Sequence, residues 1–128
     1  MITDLKMAST AGIDGVTNGM ISAIWGLHTR IECAKFGVKS VNFNVDLNSS
    51  SLQGPFGPEP DYTPQPLYYA MLMMSIIQQD TNTRFITPTQ TAGTSSSIKV
   101  HSFLSGDMIS LVLLNKDVNT SASGTVFV

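Results

Sequence analysis

Met20-Ile-Ser-Ala-Ile-Trp-Gly-Leu-His-Thr-Arg-Ile-Glu-Cys-Ala-Lys-Phe-Gly-Val-Lys-Ser-Val-Asn-Phe-Asn-Val45 is the stretch on which the fold turns. Met20, Ile21, Ile24, Leu27, Ile31 and Ala34 recur at helical spacing, which predicts a helix over residues 16–36. Thr17 is suited to cap its start, because a side-chain oxygen can accept an orphan N–H of the first turn. Gly37 is suited to stop it, because glycine enters the left-handed conformation at a helix end without a Cβ clash. Directly after Gly37, residues 38–45 form a short β-prone run. Helix, tight connection and strand make the αβ half of a βαβ unit, so this strand is expected to join a parallel sheet built by other strands.

Downstream, residues 46–66 are rich in Asn, Ser, Gly and Pro and carry no periodic pattern. A loop of about 20 residues in a compact domain is usually functional or disordered. Pro66 stands where a second helix would begin, over residues 67–79, with Leu67, Met71, Met74 and Ile77 on one face and the methionines as core filler. Beyond Thr81 the pattern turns to strands: Arg84-Phe-Ile-Thr-Pro, Ile98-Lys-Val-His-Ser-Phe-Leu and Met108-Ile-Ser-Leu-Val-Leu-Leu-Asn, with Gly106-Asp107 as a hairpin turn and residues 124–128 as one more strand. The expectation is a chain cut at both ends. Residues 1–80 hold a parallel strand without neighbours, and residues 81–128 hold an incomplete antiparallel sheet that stops where a β-sandwich would continue.

Composition narrows the function classes. Only 12% of the 128 residues are charged, against roughly 25% in ordinary soluble domains, which fits a chain that hides surface against something else. The net charge is −2 and the seven Lys and Arg are scattered, so a nucleic-acid partner has no electrostatic footing. The longest apolar run, near residues 67–77, falls short of the roughly 20 residues of a membrane helix, and no membrane partner is expected. Cys33 is the single cysteine, and His28 and His101 are the only imidazoles. No disulfide and no metal-ligand spacing follow, and neither metal nor cofactor is expected. Asn48-Ser-Ser and Asn119-Thr-Ser are glycosylation sequons. They point to an extracellular or secretory-pathway location, although the start of the chain carries no signal-peptide pattern.

Several segments, in order, resemble a known family. Gly15-Val-Thr-Asn, Ser22-Ala-Ile-Trp-Gly-Leu27 and Gly37-Val-Lys-Ser-Val-Asn-Phe-Asn44 are similar to the last helix and strand of the barrel in glycoside hydrolase family 79, the heparanases and β-glucuronidases. Thr63-Pro-Gln-Pro-Leu-Tyr-Tyr-Ala-Met-Leu72 resembles that family's final barrel helix, and Lys99-Val-His-Ser-Phe with Leu113-Leu-Asn-Lys-Asp117 resembles its C-terminal β-domain. The resemblance covers nearly the whole chain. It implies the closing segment of a (β/α)8 barrel, followed by a partial antiparallel β-sandwich domain. A whole barrel takes about 250 residues.

The same resemblance implies a chemistry and its residues. The family hydrolyses β-glucuronides with retention, using one Glu as acid/base and a second as nucleophile, their carboxyl groups roughly 5 Å apart. The strand that bears the acid/base is absent here. Aligned without gaps, Asp4 falls at the nucleophile position, and a two-residue gap puts Lys6 there instead. Glu32 and Glu59 match neither position. Asn44, at the open end of a barrel-like strand, is expected to face substrate or to hydrogen-bond the following turn. Tyr62 is expected to offer its hydroxyl to a uronate carboxylate or to pack over the loop.

The residues themselves argue for plainer roles elsewhere. Asp4 also reads as a charge on a frayed terminus, Trp25 as core rather than a sugar platform, and Cys33 as a small buried group. The expected function is that of a C-terminal portion of a retaining β-glucuronidase, inactive alone, with a glucuronide-containing carbohydrate as the intact relative's ligand. Its protein partner is either the missing barrel half or a second copy through self-association. The alternatives are a non-catalytic carbohydrate-binding or structural module, and an enzyme completed by another polypeptide.

Overall fold

The computed structural model describes residues 1–8, 11–45, 51–87, 89–90, 97–117 and 126–127. The chain forms two compact units, Met1–Ser75 and Ile76–Val128. Both sequons, at Asn48 and Asn119, lie outside the described residues.

The first unit is built on β1 (Ile2–Leu5), α1 (Met20–Lys35), β2 (Val41–Phe43) and most of α2 (Pro66–Ile77). β1 and β2 are parallel, so β1, α1 and β2 make a complete βαβ unit. This corrects the expectation that residues 38–45 have no neighbour and that Asp4 sits on a frayed end. The Ile2 N–H donates to the Ser40 carbonyl at 2.9 Å, and the Asn44 N–H donates to the Leu5 carbonyl at 3.1 Å. Four residues are too few for a periodic signal, which is why β1 is illegible in the sequence.

α1 begins at Gly19, which makes no side-chain cap bond, and not at Thr17. The Thr17 hydroxyl is used one turn earlier, accepting from the Ile13 N–H at 2.9 Å and donating to the Ile13 carbonyl at 3.0 Å. The helix ends as its sequence indicates. Gly37 has φ +77°, its N–H donates to the Ala34 carbonyl, and the Val38 N–H donates to the Cys33 carbonyl. These two bonds are the Schellman pattern, which satisfies carbonyls that the helix end would orphan. The buried face of α1 is Ser22, Gly26, Leu27 and Ile31, whereas Met20 is 70% exposed. The apolar residues run too far round α1 to name its inner face. Packing chooses it, because a Cβ on Gly26 would collide with the Leu67 side chain of α2.

α2 starts at Pro66, where a missing N–H costs nothing. Its inner face is Leu67, Ala70 and Met74. The opposite face is also apolar: Tyr69, Leu72, Met73 and Ile76 are exposed at helical spacing. The described part of the preceding loop is tied down by backbone bonds from Gly57 N–H to the Thr63 carbonyl and from Gln65 N–H to the Pro55 carbonyl.

The second unit holds β3 (Arg84–Ile86), β4 (Thr89–Gln90), β5 (Ile98–Ser105), β6 (Met108–Asn115) and β7 (Val126–Phe127). β3, β5 and β6 form an antiparallel sheet in that order, and β4 pairs with β7. Gly106, at φ +57°, and Asp107 close the β5–β6 hairpin. Only the first of the two turn residues has positive φ, the type II′ pattern that suits the strands' twist. Strand alternation puts His101, Phe103, Val112 and Leu114 on the buried face, with Phe85 and Phe103 rings 4.9 Å apart. On the other face Ile109, Leu111 and Leu113 are 53%, 41% and 56% exposed.

Candidate functional site

Parallel strands in α/β folds bring their C-terminal ends, with the loops that follow, to one edge, and ligands gather there. In the first unit that edge is where Leu5 and Lys6 leave β1 and Phe43 and Asn44 leave β2. A cavity of about 10 Å³ opens there, lined by Leu5, Lys6, Trp25, Phe43, Asn44 and Gln53 among others. That is room for about one water molecule.

The register of β1 decides which of its side chains reach this cavity. Ile2 pairs with Val41 and Leu5 with Phe43, so β1 advances three residues while β2 advances two. The extra residue turns Ile2 and Leu5 inward and leaves Thr3 and Asp4 both exposed. Asp4 therefore stands outside the cavity, and it makes an ion pair with the Lys6 ammonium at 3.7 Å. Lys6 lines the cavity and keeps 39% of its side chain in solvent.

Asn44 is half-buried in the wall, at the open end of its strand as the sequence indicates. Tyr62 is 44% exposed with φ +44° and does not line this cavity. Trp25 does line it, half-buried, with its ring edge-on to Phe43 at 5.8 Å. The expectation of a plain core tryptophan misses this, because the helical spacing of Trp25 does not reveal that β2 ends beside it. Gln53 comes from the long loop and carries no sequence signal beyond that loop's length.

Chemically the wall offers, among the described residues, one ammonium, two carboxamides, hydroxyls and an indole, and no carboxylate. Such a set can hold an anionic or hydroxyl-bearing group, but it has no acid/base pair. A larger hollow of about 450 Å³ in the second unit lies between Gln79, Asp80, Ser105 and Met108. Its acidic group, Asp80, is engaged in a turn, accepting from the Asn82 N–H at 2.8 Å.

Comparisons with protein-family models, curated proteins and solved structures find no match to this chain.

Proposed function

We propose that this chain is the closing segment of a family 79-like retaining β-glucuronidase, a barrel portion followed by part of a β-sandwich domain, and that it does not hydrolyse glycosides alone. The observation that carries the second half is that, among the described residues, no carboxylate lines the strand-end cavity. Retention needs one carboxyl group to protonate the leaving oxygen and a second, roughly 5 Å away, to attack the anomeric carbon before water releases the sugar. Asp4 offers one carboxylate, turned to solvent and beside Lys6. The order of elements supports the first half: a parallel βαβ unit, a further helix, then an antiparallel sheet. In the intact relative Lys6 would suit a uronate carboxylate and Asn44 a sugar hydroxyl.

The half-buried indole of Trp25 beside Lys6 and Asn44 favours a second reading, a non-catalytic carbohydrate-binding module. One preparation separates the two. With an aryl β-glucuronide the purified chain is expected to give no turnover above buffer, and turnover that disappears in Asp4→Asn would overturn the proposal. Trp25 is the only tryptophan, so its fluorescence reports the cavity directly. No change on adding glucuronate is expected, while a saturable change lost in Lys6→Met would favour the binding module.

A further inference from the structure

β6 (Met108–Asn115) is an edge strand among the described residues. Proteins usually blunt such edges with Lys, Pro, bulges or short strands. β6 has none of these: its eight residues are uncharged, free of proline, and paired to β5 in unbroken register. Its outer-face residues Ile109, Leu111 and Leu113 are exposed, and charges flank it, Asp107 before and Lys116 and Asp117 after.

We propose that β6 is a homodimer interface, at which two copies pair β6 antiparallel about a two-fold axis at Leu111 and join their sheets. This stands on the sheet alone and is independent of the glycosidase reading. Residues directly opposite in one sheet share a face, so only some registers are open to a strand pairing with itself. Centred on Leu111, the pairing sets Leu111 against the partner's Leu111 and Ile109 against the partner's Leu113. Every exposed apolar residue of that face then meets another, and Asp107 falls opposite the partner's Asn115, a neutral side chain. Centred instead on Val112, the pairing sets Asp107 against the partner's Asp117 and Ile109 against the partner's Asn115. Centred on Ser110, it sets Leu113 against the partner's Asp107. Like charges opposed across a strand pair are destabilising, and an apolar side chain opposite a carboxylate gains no packing. Avoidance of directly opposed carboxylates and apolar matching together select the Leu111 register, and the spacing of Ile109, Leu111 and Leu113, symmetric about Leu111, makes a second copy of the same strand the matching occupant.

The chain is expected to sediment as a dimer. Directly opposed Cα atoms lie about 4.5–5.5 Å apart, within the roughly 4.4–6.8 Å reach of a disulfide. In a Cys33→Ser background, Leu111→Cys is therefore expected to cross-link two copies on mild oxidation. Leu113→Cys alone is not, because its twin lies four residues along, about 13 Å away, whereas adding Ile109→Cys to it restores the cross-link. Leu111→Lys opposes two ammonium groups and is expected to halve the sedimenting mass with an unchanged circular dichroism spectrum. A monomeric parent chain, a dimer that survives Leu111→Lys, or equal cross-linking at 111 and 113 would each overturn the proposal.

Discussion

A left-handed backbone costs a residue with a Cβ roughly 1–2 kcal/mol, and glycine nothing comparable. Gly37 sits at φ +77° with open space where a Cβ would be, so the cost of Gly37→Ala isolates the conformation from any clash. The substitution is expected to lower the stability of the first unit by about 1–2 kcal/mol, read by urea unfolding followed through Trp25 fluorescence. An unchanged midpoint would mean that α1 does not rely on its Schellman end. At this scale the candidate site was half legible. Asn44 ends a strand whose start is punctuated by Gly37, and both signals are local. Asp4 was illegible, because its direction depends on an irregularity in the pairing of β1 with β2.

Among the elements, α2 shows how apolar sequence and burial part company. Met73 and Met74 are adjacent and chemically identical, yet Met74 is 1% exposed and Met73 47%. Truncating a buried methionine typically costs about 2–5 kcal/mol through lost transfer energy and a cavity, and surface truncations stay within about 0.5 kcal/mol. Met74→Ala is accordingly expected to destabilise strongly and Met73→Ala hardly at all, by thermal or denaturant unfolding. Equal effects would show that the outer face of α2 is covered in solution. The strands divide in the same way. The β5–β6 hairpin is visible in sequence because Gly106-Asp107 and two apolar runs are contiguous, whereas the neighbour of β2 is not, because Ile2 and Val41 are remote in the chain.

For the molecule as a whole, the low charge has a structural counterpart. A helix that is apolar all round normally belongs to an interior, yet α2 exposes Tyr69, Leu72, Met73 and Ile76, and β6 exposes Ile109, Leu111 and Leu113. Exposed apolar patches, such as each of these, mark interaction sites. The isolated chain is expected to bind a hydrophobic dye such as ANS and to self-associate. Pairing through β6 accounts for the strand's share, and α2 remains as the dye site, so Leu111→Lys should abolish association while dye fluorescence persists. A monomer with a single sharp calorimetric transition and no dye binding would contradict this and favour a module that evolved to stand alone.

Sequence alone determined the features whose causes lie within a few residues. Pro66 starts α2 because proline's fixed φ and missing N–H suit a first helical turn. Gly37 ends α1, and Gly106 turns the hairpin, because both need positive φ. The apolar runs of β5 and β6 set those strands through period-two alternation. Tertiary structure alone decided what depends on remote pairs. Leu67 against Gly26 chose the inner face of α1, β1 supplied the parallel neighbour of β2, and its extra residue turned Asp4 to solvent. The end of β2 made Trp25 a cavity wall. Local conformational limits are written in neighbouring residues, whereas burial is written in the contacts that folding brings together.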